Sequence, residues 1–366
     1  MVPMAIRELR VAGYRSIRDL RLPLKDINVL VGPNGCGKSN LYRSMYLLAQ
    51  AVHGRLARTL ADEGGMPSVL WAGQRTKGPR HMTLGVRLDD CAYEMVCGLI
   101  AVSSLTPRSA FKLDPEVKRE TLHLMGPRDR RIPFLERGEG AAWLRDLDGN
   151  RVSYPLTLST SESVLSQLRE PHRYPELSVL RQTMQGWRFY HQFRTDAEAP
   201  VRQPEIGVRT PVLGHDGRDL AAALQTIREV GDADALEAAV DWAFPGAGLV
   251  IDIEPERARF CVALSMPGIR RPFDARELSD GTLRYLCLLA ALLSPRPPDL
   301  MALNEPETSI HPDLVAPLAR LIADAGKRSQ LWITTHSRAL ADCIAEHAAS
   351  DPIELEMVGG ATRVVE

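Results

Sequence analysis

The run Gly32-Pro33-Asn34-Gly35-Cys36-Gly37-Lys38-Ser39 fits the phosphate-binding pattern G-x-x-x-x-G-K-S at every fixed position. Glycines at these places let successive backbone N–H groups turn into one concavity. A helix starting there adds the positive end of its dipole. Lys38 suits the terminal phosphates of a nucleotide, and Ser39 suits a Mg²⁺ ion. A second signal, Leu303-Asn304-Glu305-Pro306-Glu307, closes an apolar run that begins at Leu300. The carboxyl end of a parallel strand is where ligands bind in such sheets, so Glu305 is placed to polarise a water against a phosphate. Glu307 reads equally well as a solvated carboxylate. Thr334-Thr335-His336-Ser337 ends another apolar run, where His336 can sense or hydrogen-bond a γ-phosphate. Leu278-Ser279-Asp280-Gly281-Thr282 opens an apolar segment, with Ser279 and Gly281 at a helix N-terminus that favours anions.

These residues need strands and helices in alternation to hold them. The apolar run at 27–31 predicts a buried strand, stopped at once by Gly32-Pro33. Leu41, Met45, Leu48 and Val52 recur at helical spacing, so a helix leaves the glycine-rich turn directly. Residues 281–293 predict a buried helix and 300–303 a buried strand. A helix over 313–325, a strand over 330–334 and a helix over 337–345 follow. Such alternation implies a largely parallel sheet with helices on its faces. Before it, strands are expected at 6–11 and 16–22. The middle predicts strands at 82–88, 93–100 and 188–193, and a hairpin turn at Asp148-Gly149. Helices are expected near 161–168, 176–187, 219–230 and 234–244, then strands at 249–253 and 258–264, with closing strands at 353–358 and 362–365.

The chain has 366 residues, 45% of them apolar, enough for two domains or for one core with a large insertion. Lys plus Arg is 45 against 46 for Asp plus Glu, a net charge of -1, which argues against a polybasic binder while leaving room for a local basic groove. The longest apolar run, 285–293, is far short of the ~20 residues that span a bilayer. Arg7 and Glu8 interrupt the N-terminus where a signal peptide would be apolar. Cys36, Cys91, Cys97, Cys261, Cys287 and Cys343 form no CxxC pair and no zinc spacing with His. They read as incidental thiols in a cytoplasmic protein with no membrane association.

Taken in chain order, the four motifs resemble the ATPase head of the ABC class, in its SMC/RecF-like branch of AAA-type ATPases. The resemblance covers about residues 1–50 and 205–366. It implies an α/β P-loop NTPase fold of ABC-head type: a largely parallel sheet, N-terminal antiparallel strands and an inserted α+β lobe. Residues 1–52 and 205–366 would form the discontinuous head and 53–204 the lobe. It implies ATP and Mg²⁺ as cofactors. Gly32, Pro33, Asn34, Gly35, Cys36, Gly37, Lys38, Ser39 and Asn40 would hold the nucleotide, with Ser39 and Asn304 serving the metal. Glu305, His336 and Lys38 would be catalytic. Ser279 and Gly281 would complete the site of a second subunit in a head-to-tail dimer that clamps two ATP molecules. In Gly13-Tyr14-Arg15-Ser16-Ile17, Arg15 could contact phosphate and Tyr14 could pack near the base. Gln74 is a candidate for the γ-phosphate-sensing glutamine. Three departures stand out. Asn304 replaces the usual Asp and loses a charge that helps hold Mg²⁺, which implies slow hydrolysis. The signature lacks the doubled glycine of transporters. His311 stands where many ABC proteins have an Asp that crosses between subunits.

Residues 53–204 carry no nameable motif. From 51 to 140 there are 14 Lys/Arg and 11 Asp/Glu, with basic clusters at Arg128, Arg130 and Arg131 and at Arg75, Lys77 and Arg80. They could track a phosphate backbone or be solvated loops. Two functions follow. One is an ATP-driven dimeric clamp on DNA in repair, chromosome maintenance or phage defence. The other is a nucleotide-dependent switch that gates a protein partner without DNA.

Overall fold

The computed structural model describes residues 4–74, 80–100, 110–138 and 141–365. Strands β1 (Ile6–Tyr14), β2 (Ile17–Pro23) and β3 (Ile27–Val31) lead into helix α1 (Lys38–Val52). Short helices α2 (Leu56–Asp62) and α3 (Met66–Val69) follow. Next come β4 (His81–Leu88), β5 (Cys91–Leu99), β6 (Pro115–Gly126), β7 (Arg130–Gly138), β8 (Ala141–Arg145) and β9 (Arg151–Ser153). Helices α4 (Val164–Gln167) and α5 (Pro175–Gly186) precede β10 (Arg188–Tyr190) and β11 (Glu205–Ile206). Helices α6 (Leu220–Val230) and α7 (Ala233–Ala243) are followed by β12 (Gly248–Glu254), β13 (Arg259–Ser265) and β14 (Phe273–Asp274). The chain then alternates through α8 (Asp280–Leu292), β15 (Leu300–Asn304), α9 (Val315–Ala325), β16 (Gln330–Thr335) and α10 (Arg338–Ala348). It closes with β17 (Ile353–Val358) and β18 (Ala361–Val364).

The chain divides into two compact units. One holds Met1–Lys25, Gly32–Trp187 and Glu354–Glu366; the other holds Asp26–Val31 and Arg188–Ile353. This division runs along different lines from the expected head and lobe. It places the run 32–39 and α1 in one unit with β4 to β9.

In the first unit, one antiparallel sheet runs β2-β1-β4-β5-β6-β7-β8-β9. Strand alternation gives it two faces. Leu9, Val11, Leu84, Met95, Leu122 and Leu135 are buried on one of them. The β6–β7 hairpin is absent from the sequence expectation for a local reason. Proline inside a run argues against a ladder strand. Here Pro133 opposes His123 next to a register shift, and that irregularity accommodates it. Inside this unit Glu120 and Arg137 form a fully buried ion pair. Glu120 also accepts from Tyr93 Oη and Ser163 Oγ at 2.6 Å and from Val164 N at 2.9 Å, which pins α4 to the sheet. Removing one partner of such a pair costs about 3–5 kcal/mol, because the other is left buried and charged.

The second unit contains four parallel strands in the order β10-β15-β16-β3. Val29, Leu303 and Ile333 are fully buried in its core. Helix α8 is buried from Tyr285 to Leu292, as its apolar run predicts. Each fully buried leucine there contributes roughly 1.5–3 kcal/mol. A small antiparallel sheet, β11-β13-β12 with β14 on β13, packs against α6. All six cysteines are free thiols. Among the described residues, no helix is long and apolar enough to cross a membrane.

Candidate functional site

Parallel register brings the carboxyl ends of three neighbouring strands level. Asn304 pairs with Thr334, and Thr335 pairs with Val31. The phosphate-loop run follows directly after Val31. Its geometry needs glycine: Gly35 and Gly37 have φ of +81° and +106°. A Cβ on Gly37 would also lie 2.0 Å from Thr362 Oγ1. Gly37 caps α1 without a side-chain bond, and no acidic residue stands in the first turn. Asn40 N donates to Gly37 O at 3.0 Å, while the positive end of the 15-residue helix dipole stands at Gly37 with no acidic side chain of its first turn against it. Lys38 Nζ donates to the carbonyls of Gly32 at 2.6 Å and Pro33 at 3.1 Å, which curls its ammonium back over the loop. Ser39 is exposed in the first turn. These residues fit a nucleotide's phosphates. The Asn40 side chain braces the turn after β1. Its Nδ2 donates to Ser16 Oγ at 2.8 Å, and Ser16 Oγ shares a hydrogen bond with Thr362 Oγ1.

Arg15 and Tyr14 converge on a residue with no motif of its own. Glu63, nearly buried, pairs with Arg15 at 2.7 Å and Arg43 at 3.4 Å and accepts from Tyr14 Oη at 2.9 Å. Burial, then Glu63, pushes the Tyr14 hydroxyl well above its ordinary pKa, so it stays a neutral donor. Arg15 adopts φ of +46° to make this bridge. Its guanidinium is thus engaged by Glu63 in this structure. Gln74 is exposed. Of the two basic clusters, Arg75 and Lys77 lie outside the described residues. Arg128 occupies the β6–β7 turn with φ of +59°.

At the end of β15, Asn304 Oδ1 accepts from Thr334 Oγ1 at 2.9 Å. Glu305 is held at φ of +47° with its N–H on Thr334 O at 2.8 Å. A non-glycine residue in that region is a strained conformation of the kind that clusters at functional sites. A cavity of about 20 Å³, room for a single water, is lined by Asn304, Glu305, Gln192 and Arg284. Glu307 is not solvated: its side chain is 8% exposed and faces the 335–337 turn.

The family model described as "AAA domain, putative AbiEii toxin, Type IV TA system" matches residues 129–342, more than half of the chain. The chain belongs to this AAA-domain family. A second model, "AAA ATPase domain", matches residues 4–66, including the phosphate loop. Over 49 residues the chain is 43% identical to the DNA replication and repair protein RecF of Bacillus cytotoxicus, a match spanning 13% of each protein. Two solved structures share its fold. One is an SMC head bound to the C-terminal winged-helix domain of ScpA, with TM-score 0.54, 14% identity, 99% of this chain and 97% of that one. The other is the Pyrococcus furiosus Smc head with an extended coiled coil bound to the C-terminal domain of ScpA, with TM-score 0.53, 14% identity, 99% of this chain and 96% of that one. At 14% identity the likeness to the two SMC heads is one of fold, an α/β P-loop NTPase fold.

In this AAA-domain protein, the signature segment starts α8. Ser279 is its N-cap, accepting from Thr282 N at 3.1 Å, and is exposed together with Asp280. A Cβ on Gly281 would meet Ser309 O at 2.6 Å, so glycine lets α8 pack against the loop after β15. Arg284 ties the same loop through Thr308 O at 2.7 Å. A residue the sequence did not reveal holds the signature from behind. Arg202, 7% exposed, donates to the carbonyls of Ala275 at 2.8 Å and Leu278 at 2.7 Å and to Asp280 Oδ1 at 2.6 Å. No local pattern marks it, because its partners around the signature lie more than seventy residues away. His311 is exposed and accepts from Asp313 N, at the start of the next turn.

The solvent face of the antiparallel sheet forms a concavity of about 670 Å³. Arg21, Arg10, Gly85, Glu94, Thr121, Glu136 and Trp143 follow one another across seven strands in one register row. Small residues at Gly85 and Thr121 leave the hollow. Arg10 and Arg119 are paired with Glu94, and Arg151 pairs with Glu136 while stacking over Trp143 at 5.1 Å. Among the described residues, Arg21, Arg87 and Arg131 line it without an acidic partner.

Proposed function

We propose that this chain hydrolyses ATP, closes head-to-tail on a second copy around the nucleotide, and acts on DNA. The observation that carries the ATPase reading is the uncapped, glycine-started α1 with Lys38 curled over its loop. Backbone N–H groups of the loop and Lys38 hold the phosphates, and Ser39 and Asn304 serve Mg²⁺. No group of three or more His, Cys, Asp or Glu among the described residues could hold a metal alone. That suits Mg²⁺, which is bound by few side chains together with substrate phosphates. Glu305 takes a proton from the attacking water, for which the small cavity beside it has room. His336 contacts the γ-phosphate and reports its loss. Ser279 and Gly281 face the nucleotide of the other subunit. In functional terms we keep 1–52 and 205–366 as the head and 53–204 as its insertion.

Asn304→Asp tests the metal role. Aspartate keeps the acceptor for Thr334 and restores a charge, so turnover is expected to hold or rise in steady-state assays. A dead variant would show that the amide itself is needed.

The basic concavity supports action on DNA, with unpaired arginines at both ends for phosphates and Trp143 available for stacking. ATPase turnover is expected to rise with single- or double-stranded DNA. DNA affinity should fall as salt rises, with a slope shallower by roughly one for each phosphate contact removed by Arg21→Glu or Arg87→Glu. If DNA neither stimulates turnover nor binds in a salt-dependent way, the DNA reading fails. The family description, a putative AbiEii toxin of Type IV toxin–antitoxin systems, favours phage defence as the setting. The second reading, a nucleotide-dependent switch that gates a protein partner, draws support from the two SMC heads of the same fold, each bound to a domain of ScpA. A pull-down with and without ATP that finds no ATP-dependent partner counts against that reading.

A further inference from the structure

We infer that Glu307 is a positioning residue that sets the orientation and tautomer of His336. The inference rests on the proposal that His336 meets the γ-phosphate. Glu307 Oε1 accepts from Thr335 Oγ1 and from the backbone N–H groups of His336 and Ser337, both at 3.3 Å. The same oxygen lies 3.5 Å from His336 Nδ1, within ion-pair reach and longer than an ordinary hydrogen bond. Ser337 is already fixed by other means, donating its N–H to Thr335 Oγ1 at 2.9 Å and capping α10 through Leu340 N. The Ser337 end of the turn is thus closed without the carboxylate, which takes the N–H of His336 and the hydroxyl of Thr335.

Burial makes the choice of residue informative. Oε2 of Glu307 is buried and has no hydrogen-bond partner among the described residues. A buried, half-satisfied carboxylate is costly, and a hydroxyl or amide would serve backbone N–H groups at lower cost. A carboxylate facing Nδ1 favours the proton on that nitrogen and leaves Nε2 as the free acceptor or second donor, with the ring 51% exposed. The loop carrying Glu307 is also the loop on which Gly281 and Arg284 of α8 rest. His336 is thus held by a segment that the signature helix contacts directly.

The test begins on the nucleotide-free protein with ¹⁵N-labelled imidazoles, nine histidines being few enough to assign His336 by its loss in His336→Ala. Wild type should show the Nδ1–H tautomer at His336. Glu307→Ala should revert it to the Nε2–H form common for free imidazole, and Glu307→Gln, which keeps an acceptor, should retain Nδ1–H. In turnover assays, Glu307→Ala should lower kcat about tenfold or more with KM for ATP within about twofold. The double variant Glu307→Ala/His336→Ala should be no slower than His336→Ala alone. Glu307→Gln should recover part of kcat. An Nε2–H tautomer in wild type, or losses that multiply in the double variant, would overturn the inference. If wild type hydrolyses no ATP, the functional reading fails, and the tautomer comparison still decides the role of Glu307. If Glu307→Ala does not fold, wild type and Glu307→Gln decide it.

Discussion

Glu305→Gln is expected to lower ATP turnover by about 10²–10⁴-fold, the usual contribution of a positioned general base, while leaving ATP binding intact. Glutamine has nearly the same volume and the same φ requirement. The bond from residue 305 N–H to Thr334 O at 2.8 Å should survive, so the strained turn at the end of β15 is not disturbed. What disappears is the charge that draws a proton from water. With hydrolysis blocked and nucleotide retained, the closed dimer should accumulate, visible by light scattering as an ATP-dependent doubling of mass. Adding Ser279→Arg should abolish that doubling. Ser279 is exposed at the tip of α8, so a bulky cation there obstructs a second subunit without entering the core of its own. A monomeric Glu305→Gln protein in saturating ATP would refute the clamp.

Lys38→Ala is expected to weaken ATP binding roughly 10–100-fold, the range that corresponds to one lost charge-assisted hydrogen bond of about 1.5–3 kcal/mol, and to abolish turnover. The Lys38 ammonium now rests on the carbonyls of Gly32 and Pro33, so its loss also relaxes the curl of the loop. Binding of a fluorescent ATP analogue measures the effect. Wild-type affinity in Lys38→Ala would mean that the anion site is elsewhere.

Local chemistry made much of this architecture readable. A glycine-rich run between an apolar strand and an amphipathic helix has few other solutions, and β3, α1, β15, β16 and α10 all form near their expected positions. Apolar runs of strand length before Asn304 and Thr335 sufficed to place both at strand ends. The hairpin of β6 and β7 was hidden, because its charged alternation and Pro133 both weigh against a strand. Only the register shift opposite Pro133 makes room for it. Glu63, Arg202 and Glu307 were hidden for another reason. Each acts through partners that no spacing rule connects to it, and Glu307 in particular reads in sequence as one more surface acid.

By itself, the sequence determined the glycine-rich loop before α1, the ends of β15 and β16 and the helix α8, since each depends on neighbours within a few residues and on backbone freedoms that only certain residues have. Tertiary structure decided what was long-range. It joined β4 to β9 with β1 and β2 in one sheet, because open strand edges demand hydrogen-bond partners wherever the chain can supply them. It also buried Glu307 against the 335–337 turn, and so gave an ordinary carboxylate the backbone and the ring of His336 as neighbours.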